Sequence, residues 1–122
     1  MKKIILSLVF LSFSVSMNAQ NSIDRQTIKN APDRLIEFST ADIKILCDTY
    51  NQISKDQAKS IYDLCLYKYQ RLTQDLTEKE LIDLTNSIKE RSKIILGDDL
   101  YLEIAKNQDL FYRITGITYL AQ

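Results

Sequence analysis

A small all-α domain is the fold class this sequence predicts, and three observations predict it. Two helix-start signatures of the same form, Ser54 with Gln57 and Thr77 with Glu80, stand 23 positions apart. Apolar residues between and beyond them recur at helical spacing, and no stretch alternates with period two for long enough to claim a strand. Two glycines, Gly97 and Gly116, and a single proline, Pro32, are the main breaks in the pattern. With 122 residues, of which 45% are hydrophobic and 26% charged, the chain has room for one core and enough apolar side chains to order it.

The first segment is predicted to be an export signal. Lys2 and Lys3 give a positive start, Ile4 to Val15 is almost wholly apolar, and Ser16-Met17-Asn18-Ala19 supplies the small residues a signal peptidase reads. Cleavage is expected after Ala19, making residues 1–19 a signal peptide. A transmembrane anchor is the competing reading, but the apolar run falls short of the ~20 residues a bilayer core requires. No Cys stands at the cleavage point for lipid attachment, so no membrane insertion is expected once the signal is removed. The Asn18-Ala19-Gln20 ending resembles the signal ends of exported proteins of Bacteroidetes-type Gram-negative bacteria, which implies the periplasm.

Residues 20–38 are mostly polar, with Ile23 and Ile28 spaced along them and Pro32 at a plausible helix start, and they read as an N-terminal arm or short helix. Residues 39–122 read as the helical domain, four helices arranged as hairpins. Ser39 followed by Asp42 is an N-cap pattern, and Ile43, Leu46, Cys47 and Tyr50 continue it as a helix over about 40–52. The second helix begins at Ile53-Ser54-Lys55-Asp56-Gln57. Its inner face at 100° per residue holds Ala58, Ile61, Tyr62, Cys65, Tyr69 and Leu72, with Tyr67 on the opposite side. The third begins at Leu76-Thr77-Glu78-Lys79-Glu80, carries Leu81, Leu84, Ile88, Ile95 and Leu96 on one face, and ends at Gly97 in a left-handed C′ position. Asp98 or Asp99 is expected to cap the fourth, whose broad apolar arc runs from Leu100 and Tyr101 through Ile104 and Ala105 to Phe111, Tyr112 and Ile114, with Gly116 closing it. Ile117 to Gln122 is a tail, and Ile114 to Leu120 is the one place where a strand is tolerated.

The two helix starts are the most informative feature. In each capping box the hydroxyl accepts from the N3 amide while the Gln or Glu side chain reaches back to the N-cap amide. Each is flanked by a hydrophobic staple, Ile53 with Ala58 and Leu76 with Leu81. Well-made helical proteins use such boxes for stability alone, and local physics goes no further than that. The pair Ile53-Ser54-Lys55-Asp56-Gln57 and Leu76-Thr77-Glu78-Lys79-Glu80 also resembles the paired L-T-x-x-Q motifs of the Spy/CpxP-like periplasmic family, with Ile-Ser in place of Leu-Thr in the first and Glu80 in place of Gln in the second. Ile94-Ile95-Leu96-Gly97-Asp98-Asp99-Leu100-Tyr101 is similar to a segment of small exported relatives in which an Ile-Leu pair precedes a turn and a helix-starting Tyr. The resemblance spans about residues 43–101. It implies a helical protein that dimerises into a cradle and acts as a chaperone without ATP or as an envelope-stress modulator.

Composition excludes more than it suggests. No His is present, which removes imidazole bases, Ser-His and Cys-His nucleophile pairs and the usual nitrogen ligands of zinc and copper. Two isolated glycines cannot build a phosphate-binding loop. No catalytic residue, metal or cofactor is expected. The Asp98-Asp99 pair lacks the alternating oxygen ligands of a calcium loop, and Asp83 and Glu90 fall on a solvated outer face. Signal removal takes two lysines from 16 basic residues facing 16 acidic ones, a formal charge near −2, and the cations are scattered, so nucleic acid and anionic membrane surfaces are poor partners.

Protein is the expected partner: client chains, an envelope protein or a second copy of the chain. Tyr67 and Tyr112, with Leu100, Phe111 and Ile114 from the broad arc, are the candidate contact residues, because Tyr offers large amphipathic area at small entropic cost. The alternative is a dedicated interaction protein of the inhibitor or immunity type with one cognate target. For Cys47 and Cys65 two readings stand, one disulfide in an oxidising compartment or two small buried apolar residues. In a hairpin turning near Ile53 the two cysteines are offset by roughly 9 Å, beyond the ~7 Å reach of a disulfide.

Overall fold

The structure is a computed structural model that describes residues 23–121; the signal segment and its cleavage point lie outside the described residues. The described chain is all-α, with six α-helices and two 3₁₀ turns and no strand. These are α1 (Arg25–Asn30), a 3₁₀ turn (Pro32–Arg34), α2 (Leu35–Thr49), α3 (Lys55–Leu72), α4 (Glu78–Leu96), α5 (Asp98–Lys106), α6 (Gln108–Thr115) and a closing 3₁₀ turn (Ile117–Ala121). The helix count exceeds the four expected because the arm forms one helix and the fourth helix is broken in two.

Both capping boxes form as the sequence dictates. The Gln57 amide donates to Ser54 Oγ at 3.1 Å and the Ser54 amide donates to Gln57 Oε1 at 2.9 Å. At the next start the Glu80 amide donates to Thr77 Oγ1 at 3.1 Å and the Thr77 amide to Glu80 Oε1 at 2.9 Å. Gln57 also works across the hairpin, its Nε2 donating at 3.3 Å to the Ile95 carbonyl. That carbonyl belongs to the last turn of α4, where no intrahelical donor is left to satisfy it. One side chain therefore starts α3, ends α4 and fixes the antiparallel register between them.

Four expectations are corrected. Ser39 does not cap a helix: it is buried inside α2, and its hydroxyl donates to the Leu35 carbonyl at 2.8 Å. The helix starts earlier because the Pro32–Arg34 turn feeds directly into Leu35, proline being well placed in a first turn. Neither Asp98 nor Asp99 caps α5, whose N-cap is Gly97 at φ 85°, ψ 159°; the two acids instead occupy the first turn, at the positive end of the dipole. The broad arc is interrupted at Asn107, whose Oδ1 accepts from the Leu110 amide at 3.3 Å and starts α6 afresh. Ile117–Ala121 is a 3₁₀ turn rather than a strand, and Tyr119 within it is buried.

The break lets α6 turn back across α2 and α4. Ile28 of the arm, Leu46, Ile61, Tyr69, Leu72, Ile88 and Leu110 meet in one core, each fully buried aliphatic contributing about 1.5–3 kcal/mol. The arm is tied down as well, with Arg25 Nη2 donating to the Gln74 carbonyl at 3.0 Å and Lys29 Nζ paired with Asp75 at 2.8 Å. Gly116 closes α6 in the left-handed region, φ 81°, and a Cβ there would meet the Tyr119 ring at 3.1 Å, so glycine is what allows the tail to fold back.

Candidate functional site

Helix α3 presents opposite faces through three consecutive residues. Lys68 and Tyr69 point inward and Tyr67 points into a groove between α3 and α4.

The inward face makes a charged cluster that sequence reasoning did not find. Asp42, fully buried on α2, accepts from the Tyr69 hydroxyl at 2.6 Å and from Arg113 Nε of α6, and stands 3.5 Å from Lys68 Nζ. Lys68 Nζ, also fully buried, donates to the Arg113 and Ile114 carbonyls at 2.6 and 3.2 Å and lies 4.2 Å from the centre of the Tyr69 ring. Those carbonyls are in the last turn of α6, where the macrodipole favours a cation. The second positive charge is thus met by a helix terminus rather than by a second acid. Burial pushes the Tyr69 and Tyr119 hydroxyls well above the usual phenol range, with the Asp42 charge adding to it. It pushes the Cys65 thiol up to about 12. The cluster joins α2, α3 and α6 and is closed to solvent, so its work is structural. Asp42 carried a misread signal, as the acid of the Ser39 pattern; nothing local marks Lys68 or Arg113 as interior residues.

The outward face is a groove of about 450 Å³, lined by Ser60, Asp63, Leu64 and Tyr67 of α3 and by Arg91, Ile94 and Ile95 of α4. It continues past Tyr67 into a second hollow of about 240 Å³ bounded by Arg71, Glu80, Asp83 and Ser87. Ile94 is 77% exposed at its apolar end. The guanidinium of Arg91 lies 5.5 Å from the centre of the Tyr67 ring, and Arg71 Nη1 is 3.5 Å from the Tyr67 hydroxyl.

The acids along this groove are already engaged. Asp63 pairs with Lys59 at 3.3 Å and Asp83 with Lys79 at 2.9 Å. The Thr77 amide and hydroxyl hold the Glu80 carboxyl below the usual carboxylate range. Among the described residues neither Arg71 nor Arg91 forms an ion pair with a carboxylate.

Of the contact residues read from the sequence, Tyr67 lines this groove. Tyr112, Phe111 and Leu100 lie half-buried on α5 and α6, where Phe111 stacks edge-on against Tyr101 at 5.7 Å and lies 6.3 Å from Tyr112. Ile114 is 3% exposed and belongs to the core, which removes it from any surface: the Asn107 break rotates α6 and turns Ile114 inward. Ile53, Leu76 and Leu81, the staple residues, pack half-buried against the core. Cys47 and Cys65 are both free thiols; Cys65 is fully buried, whereas Cys47 is only partly so.

Among the described residues no group of His, Cys, Asp and Glu is arranged to hold a metal ion, and no helix is long and apolar enough to cross a membrane. Compared with family models, with curated proteins and with solved structures, the chain matches none.

Proposed function

We propose that this chain is an exported, periplasmic protein-binding module that holds polypeptide segments in the α3–α4 groove, in the manner of a chaperone-like or envelope-stress protein. One observation carries the reading: a 77% exposed Ile94 stands at the end of a hollow that also holds Tyr67. Single exposed apolar residues are ordinary on protein surfaces, but an isoleucine and a tyrosine lining one hollow make an anchor site for an apolar side chain. The resemblance at the two capping boxes points the same way, since both boxes serve to position the two helices that form the groove.

The test is suppression of aggregation of a reduced, denatured client by the mature chain, alongside an Ile94→Asp variant. The reading expects protection by the parent chain and at least a severalfold weaker effect from the variant, at equal stability. Equal protection by both, or none by either, removes it. A single cognate partner is the second reading, favoured by the small extent of the groove's exposed apolar lining, in which Ile94 is the one large hydrophobic exposed among the described groove residues. Capture of one stoichiometric partner from an envelope extract would select it over many unfolded clients.

A further inference from the structure

The groove residues fall on both helices at the spacing that receives a third helix. On α3 they are 60, 63, 64, 67 and 71, and on α4 they are 80, 83, 84, 87, 91, 94 and 95. Steps of three and four on two antiparallel helices make a continuous seam, the geometry in which an amphipathic helix lays its apolar face into a groove. At 1.5 Å per residue the α3 side of the seam runs for about 16 Å and the α4 side for about 22 Å, room for a guest of three to four turns.

The seam is not electrically neutral along its length. Its carboxylates are engaged by Lys59, Lys79 and the Thr77 cap, while Arg71 and Arg91 converge on Tyr67; Arg71 Nε also donates to Gln74 Oε1 at 3.1 Å and its charge reaches Glu80, but neither arginine is in ion-pair contact with a carboxylate among the described residues. A planar guanidinium is built to take a carboxylate through two parallel hydrogen bonds. Tyr67 holds one guanidinium over its face and the other near its hydroxyl, which limits the side-chain freedom lost when a ligand arrives.

We propose that the groove selects an acidic amphipathic helix of a partner protein, seating an apolar side chain against Ile94, Ile95 and Leu64 and its carboxylates against Arg71 and Arg91. This rests on the reading of the groove as a protein-binding surface. A polyphosphate chain fits less well, because it offers no apolar side chain to the end of the groove where Ile94 is exposed.

The test uses two synthetic helical peptides of about 14 residues with the same leucines at i, i+4 and i+7, one carrying Glu and the other Lys at the flanking positions. Fluorescence anisotropy with the mature chain is expected to show the Glu peptide binding about tenfold more tightly, two partly exposed charge contacts being of that order. The preference should shrink as the Debye length falls to about 3 Å in 1 M salt. An Arg71→Gln, Arg91→Gln double variant is expected to bind both peptides alike at the weaker level, with an unchanged circular dichroism spectrum. Equal binding of both peptides by the parent chain would overturn the acidic preference while leaving the groove a protein site. Binding of neither would overturn both readings. A single-stranded oligonucleotide that binds more tightly than the Glu peptide would overturn the choice of a protein partner.

Discussion

Tyr69 and Tyr67 stand two positions apart on α3, each beside a cation, and the two arrangements do opposite work. Tyr69 is sealed in with Lys68, Asp42 and Arg113, and every hydrogen bond there replaces one lost to water. Tyr67 lies in an open groove with Arg71 and Arg91, where water still competes for each contact. The same residue types are therefore expensive to disturb in the interior and nearly free to disturb outside. A buried ion pair broken on one side costs several kcal/mol because a charge is left stranded, whereas an exposed one contributes between nothing and about 1 kcal/mol.

The comparison is broken most directly at Asp42. Asp42→Ala strands Lys68 and Arg113 in the core and is expected to lower stability by about 3–5 kcal/mol in urea titration. Lys68→Met keeps the stem packing and leaves Asp42 with Arg113 and Tyr69, so its loss should be clearly smaller; an equal loss would show that the cluster is not organised around the carboxylate.

Alkali should act on the same interior. The buried Cys65 thiol, raised from 9.0 to about 12, keeps its proton in the folded chain while the unfolded chain releases it above pH 9. Its contribution is therefore complete below pH 9 and is lost progressively as pH rises towards 12. Tyr69 and Tyr119, both raised from 10.0, add to the loss from pH 10 upwards. Urea midpoints measured from pH 8 upwards should fall in that window, and Cys65→Ala should remove the part of the fall that begins at pH 9, leaving the tyrosine part from pH 10 upwards. In native protein at pH 8 a thiol reagent should modify Cys47 and spare Cys65.

Tyr69→Phe comes next, removing a hydrogen bond to a carboxylate at a cost of about 1.5–3 kcal/mol. Ser54→Ala and Thr77→Ala should each cost about 1 kcal/mol. They flank α3, whose 18 residues separate them by about 27 Å, so the double variant should be additive. Arg71→Gln with Arg91→Gln closes the series. On the open face the pair should shift stability by no more than about 0.5 kcal/mol, and a large shift would mean the groove arginines hold the hairpin together.

What the sequence made legible was whatever is decided within four residues. The boxes at Ser54 and Thr77 require only an oxygen and a Gln or Glu three positions on, so they were visible before any coordinates, as was the inward stripe of Ile61, Cys65, Tyr69 and Leu72. The pattern at Ser39 and Asp42 looked locally identical to a cap, yet Asp42 takes partners 27 and 71 positions away, and that separation decides its role. Nothing within four residues of Lys68 or Arg113 marks them as interior, and lone charges rarely enter cores. The Asn107 break had a readable signal, an Asn followed by Asp109 in a first turn, but the broad apolar arc on either side concealed it. For the groove, Tyr67 was legible from the helical wheel and Arg71 lies four positions on along the same helix, but Arg91 was not legible, because it reaches Tyr67 from another helix.

The 71 positions between Asp42 and Arg113 also set an order of events. Hairpins such as α2–α3 and α3–α4 close short loops and can assemble early, but the guanidinium arrives only with α6, after a much longer closure. Until then the nascent bundle holds a carboxylate and an ammonium that have every reason to stay wet. The buried carboxylate is therefore expected to gain its last partner late, so that sealing of the interior waits on the far end of the described chain.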